Sequence, residues 1–359
     1  MQTRIHQQFK DGEDIAETDE ILRGCVHCGF CTATCPTYQI LGNELDSPRG
    51  RIYLIKDMLE SGEASNKTRE HLDRCLGCRS CETTCPSGVR YHRLLDIGRR
   101  VLDQKSPRPL SGELIRVAMC YVLPHEKRLA LALKTGHVFK PLLPRQLKNK
   151  LLVLRSKIVR PKTYHTLCML VLEGCVQPLT TPNTNAAASR VLDRLGISLE
   201  SVSKAGCCGA INQHMSDPDQ AKQYMRNNID AWWPHVNEGL DEGVEAIVVT
   251  ASGCGLMIKE YSQELKDDLR YAAKAAKISE LARDVSEIIR AEDLTALVGI
   301  GQGKKVAYQS SCTSQHGQKL SGMVESILKD CGYGLTEVVD SHLCCGAAGT
   351  YTLLQPELS

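Results

Sequence analysis

Two runs of four cysteines at one spacing constrain this chain more than any other feature of its sequence. The first is Cys25, Cys28, Cys31 and Cys35, followed by Pro36. The second is Cys75, Cys78, Cys81 and Cys85, followed by Pro86. Three thiolates at C-x-x-C-x-x-C spacing can wrap one face of a cubane of iron and sulfide. The fourth lies too far along to close that corner comfortably, and in two-cluster proteins of this pattern it ligates the other cluster. The pattern therefore assigns Cys25, Cys28, Cys31 and Cys85 to one [4Fe–4S] cluster and Cys75, Cys78, Cys81 and Cys35 to the other. Structural zinc also uses C-x-x-C pairs. Two complete copies, each ending Cys-Pro, favour iron and sulfide.

The chain holds 18 cysteines in 359 residues. That is too long a chain to need disulfide staples, and the N-terminus is polar and charged with no secretory apolar core. No stretch approaches the roughly 18 consecutive apolar residues of a membrane span. A cysteine-rich chain of this kind is expected in a reducing cytoplasm, where thiols serve metals or redox chemistry. The hydrophobic fraction of 42% and charged fraction of 24% exclude a wholly disordered or collagen-like chain.

Four segments follow from the texture of the sequence: 1–105, holding both cysteine runs; 106–162, basic and helical in pattern; 163–292; and 293–359. The long stretch between Cys35 and Cys75 includes a helical pattern over Arg49–Glu63. Between Glu113 and Lys162 twelve Lys and Arg face two Glu, so a local net of +10 hides behind an overall +2. That charge suits a solvated linker, an acidic partner face or anionic lipid. No groove-reading motif accompanies it, so nucleic acid is not expected. Beyond Thr163, short apolar runs at Leu167–Leu172, Ala246–Thr250 and Lys305–Gln309 alternate with helical patterns such as Ala186–Leu195. That alternation is the sign of parallel βα units. The glycines at Gly299, Gly301 and Gly303 precede a strand and read as a turn. No dinucleotide fingerprint and no phosphate-binding loop is present.

The last two segments repeat each other. Cys175 is followed by Cys207-Cys208-Gly209, and Cys312 is followed at the same separation by Cys344-Cys345-Gly346. One constant offset relates the two copies at every matched cysteine. The first copy adds Cys254, whose counterpart would fall near position 391. The second repeat is therefore expected to be incomplete, either as a fragment truncated at its C-terminus or because that half-repeat has been lost. Adjacent cysteines on a loop after a strand can both face a metal, and a glycine lets the backbone approach. Sites in open α/β sheets assemble at that strand end. Inert burial is the competing explanation. Cys120, Cys168 and Cys331 have no metal role in this reading. His27, His214 and His316 are read as hydrogen-bonded neighbours, and Trp232-Trp233-Pro234 as packing at a helix end.

Doubled four-cysteine runs followed by doubled cysteine-rich CCG segments resemble the iron–sulfur subunits of glycolate oxidase (glycolate dehydrogenase). The stretches GCVQPLTTPNTNAAASRVLDRLGI and DSHLCCGAAGTYTLLQPELS carry the likeness most clearly. It implies an α+β multidomain fold: a helical dicluster ferredoxin domain, then two α/β cysteine-rich repeats. It implies an electron-transfer subunit that is not catalytic alone. FAD would reside in partner subunits and a quinone-linked acceptor would lie downstream, at most with a peripheral seat on the cytoplasmic face of the inner membrane. The wider group includes iron–sulfur subunits for lactate and glycerol-3-phosphate oxidation, and heterodisulfide reductase subunits whose CCG domains hold unusual clusters. That last likeness implies a candidate further cluster at Cys175, Cys207, Cys208 and Cys254, and an incomplete one at Cys312, Cys344 and Cys345. A thiol/disulfide reductase acting at a CCG cluster is the alternative function.

Overall fold

A computed structural model describes residues 1–10, 12, 14–142, 158–237 and 244–359. The chain forms two compact units. One comprises 1–113, 309–321 and 337–359; the other comprises 114–308 and 322–336.

The described part of the first unit is helical. Helices α1 (Ile15–Gly24), α2 (Pro36–Leu41), α3 (Pro48–Ser61), α4 (Asn66–Asp73), α5 (Ser80–Thr84) and α6 (Tyr91–Lys105) follow one another. Helix α3 starts where the sequence says it should. Pro48 occupies its first turn, and the Ser47 hydroxyl accepts the Gly50 N–H at 3.0 Å. It stops at Gly62, whose φ of +79° is cheap only for glycine. Its inward stripe is Ile52, Ile55, Met58 and Leu59, which packs with Leu94, Leu95, Ile97 and Leu102 of α6 in one core. Each such side chain contributes about 1.5–3 kcal/mol by leaving water. Gly98 permits the close crossing, since a Cβ there would meet Ile55 at 2.8 Å. Arg93 and Arg100 of α6 bind Asp14, at 2.9 and 2.6 Å, and tie α6 to the start of α1.

The second unit opens with α7 (Leu110–Val122, of which Leu114 onward belongs here) and α8 (Glu126–Val138). These account for part of the basic segment; residues 143–157 lie outside the described residues. A four-stranded parallel sheet follows: β1 (Leu167–Val171), β2 (Ile197–Ser201), β3 (Ile247–Val249) and β4 (Ala282–Asp284), in spatial order 2-1-3-4. Helix Asn183–Arg194 makes the crossover from β1 to β2, and the long helix Pro218–Asn237 lies between β2 and β3. Trp232 of that helix is fully buried with Ile229, Met225 and Ile258; it packs as expected, but inside the helix, which continues through Pro234, rather than at its end. A second, two-stranded parallel sheet pairs β5 (Lys305–Ala307) with β6 (Gly334–Thr336). Strand β6 begins at the same offset from β2 that separates the matched cysteines, so the sequence repeat is a repeat of strands. The α+β class is thus a helical first unit and a second unit built on parallel strands. Strands β5 and β6 belong to the second unit, whereas the loops after them, which carry Cys312, Cys344 and Cys345, belong to the first. Among the described residues no helix is long and apolar enough to cross a membrane.

Candidate iron–sulfur centres

In the first unit the eight cysteines of the two runs ring two recesses. One is lined by Cys25, Cys28, Cys31 and Cys85, and also by Cys81. The other is lined by Cys35, Cys75, Cys78 and Cys81. The fourth cysteine of each run therefore lies with the first three of the other. Tyr91, at the head of α6, lines both recesses. Among the described residues no three Cys, His, Asp or Glu side chains are gathered for a single metal ion. The sulfurs surround spaces rather than points.

The backbone repeats as well as the cysteines. In the first run His27 and Gly29 flank Cys28 with φ of +56° and +87°. In the second, Gly77 and Arg79 flank Cys78 with φ of +65° and +61°. Left-handed backbone at a non-glycine residue costs energy and persists where function over-determines it. Here one strained side chain sits in each run, His27 in one and Arg79 in the other. Such turns aim successive N–H groups into a concavity suited to anions, iron–sulfur centres included. The Gly77 N–H points at the Cys75 sulfur across 3.5 Å. The N–H groups of His27 and Ser80 do the same for Cys25 and Cys78.

Burial pushes the Cys31 thiol up to about 11 and the Cys78 thiol up to about 12, and holds Cys81 well above the ordinary range. Buried thiolates need a compensating cation, and an iron centre supplies one. The donor set, the crossed recesses and the inward N–H groups all fit a cubane. Two residues not read from the sequence complete the second recess. Arg51 of α3 is 1% exposed, and its Nη1 lies 4.0 Å from the Cys35 sulfur. The Tyr91 hydroxyl donates to the Cys75 sulfur at 3.6 Å. Arg51 had a signal: it lies on the buried stripe of α3, one turn before Ile55.

In the second unit, Cys175 follows β1, Cys207 and Cys208 follow β2, and Cys254 follows β3. All stand at the carboxyl ends of parallel strands, beside the point where strand order reverses. Cys175 donates to Cys207 at 3.5 Å. Contacts continue from Cys207 to Cys208 and from Cys208 to Cys254. The bond it donates to Cys207, and then burial, hold Cys175 far above the ordinary thiol range. For Cys207 the bond accepted from Cys175 pulls downward, and the neighbouring Cys208 and burial more than offset it. Asn228 braces this loop, accepting the Gly206 N–H at 2.8 Å and donating to the Cys207 carbonyl at 2.8 Å. Tyr261 donates to the Cys208 carbonyl at 2.9 Å. Gly209 has φ +93°, and a Cβ there would meet the Ala221 carbonyl oxygen at 2.9 Å.

The second CCG loop repeats part of this geometry within the first unit, with the direction of the sulfur–sulfur bond reversed. Cys344 donates to Cys312 at 3.8 Å, and Cys345 is exposed. Accepting that bond lowers the Cys312 thiol, and donating it raises Cys344. Both lie close enough to Cys78 for their charges to interact with it. His316 bonds the Thr83 hydroxyl at 3.1 Å and the His342 carbonyl at 2.9 Å, the neighbour role expected of it. His27 contacts the Met1 sulfur. Cys331 packs with Leu297 and Ile327 in a small apolar cluster.

A helical unit with doubled cubane-type cysteine runs, joined to parallel-stranded CCG repeats, defines an iron–sulfur electron-transfer protein. Residues 21–89 match the 4Fe-4S dicluster domain, and residues 164–259 and 306–359 match the cysteine-rich domain. The chain is 53% identical over 360 residues to the glycolate oxidase iron–sulfur subunit of Escherichia coli (strain K12), covering 100% of this chain and 87% of that protein. It is 30% identical over 386 residues to a Bacillus subtilis (strain 168) protein named "Probable glycolate oxidase iron-sulfur subunit", covering 99% of this chain and 84% of that one. Lactate utilization protein A of Bacillus cytotoxicus is 27% identical over 191 residues, 52% of this chain and 74% of that protein. The chain belongs to the glycolate oxidase iron–sulfur subunit family, components of oxidoreductase complexes.

Proposed function

We propose that this chain relays electrons from FAD-containing subunits of a glycolate-oxidising complex toward a quinone-linked acceptor. Two [4Fe–4S] clusters in the first unit would form the relay. The ligands assigned to one are Cys25, Cys28, Cys31 and Cys85, and to the other Cys75, Cys78, Cys81 and Cys35. The observation that carries this reading is the crossed lining of the two recesses, in which Cys85 joins the first trio and Cys35 the second. When bound, the clusters supply one-electron carriage between a two-electron flavin and the acceptor.

The chain's own residues do the rest. The left-handed turns at His27, Gly29, Gly77 and Arg79 hold N–H donors toward the sulfurs. The α3–α6 core fixes the two recesses side by side, with Tyr91 between them. Cys175, Cys207, Cys208 and Cys254 are proposed as a further cluster site. Cys312, Cys344 and Cys345 are proposed as its counterpart in the second repeat. The four sequence segments 1–105, 106–162, 163–292 and 293–359 remain the proposed domain division.

Helix α7 turns Leu114, Val117 and Tyr121 outward, 70%, 54% and 60% exposed, within the basic segment. That face supports a peripheral seat against partner subunits or the anionic inner surface of the membrane.

Anaerobic co-purification with the flavin subunits, followed by substrate-specific reduction monitored by EPR, tests the whole reading. Glycolate should develop the cubane signals faster than lactate or glycerol-3-phosphate. Preference for lactate would move the chain toward the lactate-utilisation relatives. Glycolate oxidation by the isolated chain, without flavin partners, would overturn the relay role.

A further inference from the structure

The two recesses differ in how deeply the neighbouring guanidinium group is buried, and this difference bears on the proposed clusters. At the first, Arg49 is the nearby guanidinium. It binds Glu44 through two bonds, at 2.5 and 3.1 Å, which neutralises it at a half-exposed position. At the second, Arg51 is buried. Its Nε donates to the His71 carbonyl at 2.7 Å, and its Nη2 reaches the Thr37 hydroxyl at 3.0 Å and Asp46 at 3.4 Å. Asp46 is fully buried and also receives Arg74 at 3.1 Å and the His71 ring at 2.9 Å. Arg74 is in turn paired with Glu70 at 2.5 Å, so the two carboxylates offset the two guanidinium groups in number; what distinguishes this recess is that the Arg51 guanidinium is buried and turned toward Cys35.

The hydrogen-bond inventory points the same way. A ligating Cys35 is a thiolate and cannot donate, so its contact with the Asp46 carbonyl lapses. The Thr37 hydroxyl stands 3.3 Å from that sulfur and 2.9 Å from the Asp46 carbonyl, and its single hydrogen serves one of them at a time. The Arg51 Nη1, at 4.0 Å, is the charged donor facing the Cys35 sulfur. Tyr91, 4% exposed, directs its O–H at the Cys75 sulfur across 3.6 Å. Each of these groups favours added negative charge on the sulfurs. Burial strengthens the effect by lowering the local dielectric.

We infer that Arg51 and Tyr91 are positioning residues that raise the reduction potential of the cluster held by Cys75, Cys78, Cys81 and Cys35. Reduction adds one electron to a centre already anionic through its thiolates. A neighbouring cation and an O–H donor stabilise the reduced form more than the oxidised one, and cluster potentials respond to charge, hydrogen bonds to sulfur and solvent exposure. This inference rests on the ligand assignment proposed above.

The test is an EPR-monitored potentiometric titration of the anaerobically purified complex, with iron measured in each sample. Tyr91→Phe and Arg51→Met should each lower one midpoint and leave the other in place. For Arg51→Met the reduced-to-oxidised ratio of that cluster at fixed poise should fall about tenfold, equivalent to about 59 mV for a one-electron couple. Arg51→Lys should restore part of the loss. Should Arg51→Met lose iron, Tyr91→Phe and Arg51→Lys decide the matter. Full iron with both midpoints unmoved in Tyr91→Phe and the Arg51 variants overturns this inference alone. A wild-type complex without two cubane signals overturns the ligand assignment and this inference together.

Discussion

Cys344 donates to the Cys312 sulfur across 3.8 Å, and the matched pair of the first repeat meets with the direction reversed, Cys175 donating to Cys207 at 3.5 Å. The two pairs occupy different compact units, one with the cubane-type cysteines and one with the parallel sheet. The CCG pattern therefore builds the same pair of sulfurs wherever it occurs, with the glycine N–H two residues on turned back to the first cysteine of each CC pair.

Iron content tests whether that geometry is a ligand set. Cys207→Ala with Cys208→Ala should lower iron from about twelve to about eight per chain, with both cubane signals retained. Equal iron in the double variant and the wild type would remove the first CCG site from the cofactor inventory.

The crossed arrangement makes a pairing prediction. Cys28→Ser and Cys85→Ser should weaken the same EPR signal, and Cys78→Ser and Cys35→Ser the other. A Cys85→Ser spectrum matching that of Cys78→Ser would mean that each run closes its own cluster, contrary to the lining of the recesses.

Removal of iron should expose the cysteines unevenly. Cys28 and Cys345 are exposed, whereas Cys81 and Cys208 are buried and their thiols are held well above the ordinary range. For Cys81 the main cause is burial. For Cys208 the bond accepted from Cys207 pulls downward but is outweighed by the contact with Cys254 and by burial. After chelation, alkylation followed by mass spectrometry should label Cys28 and Cys345 early and Cys81 and Cys208 late. Uniform labelling would indicate that both units open once iron is lost.

Glycine conformation separates two substitutions in the second unit. Gly209→Ala places a Cβ against the Ala221 carbonyl at a φ of +93° and should cost about 1–3 kcal/mol in urea unfolding. Gly253→Ala sits in helix Ser252–Lys259 with nothing within 4 Å of the added carbon. It should be neutral or stabilising by about 0.5–1 kcal/mol. Equal losses at both sites would show that backbone conformation is not what fixes the CCG loop.

Much of the architecture was legible before the fold. The Arg49–Glu63 pattern became α3, and the runs at Leu167, Ala246 and Lys305 became β1, β3 and β5. Local periodicity and cap chemistry decide such elements, and both are written in neighbouring residues. The glycine cluster at Gly299–Gly303 is a turn, for the same reason. The buried network of Asp46, Arg51 and His71 was not legible, nor was the brace that Asn228 and Tyr261 give to the CCG loop. Those contacts join residues with no common spacing.

The sequence by itself determined the chemistry: fifteen cysteines of patterned spacing and the parallel-stranded repeat that carries seven of them. Thiolate ligands at short, fixed intervals are a local property, and a repeat is visible by superposing the chain on itself. Tertiary structure alone decided which charges stand beside which sulfur, and that Cys312 and Cys344 pack in the same unit as Cys78 rather than with β5 and β6. Those outcomes depend on burial and on approach between distant segments, where desolvation sets the strength of each charge. No pattern along the chain records them.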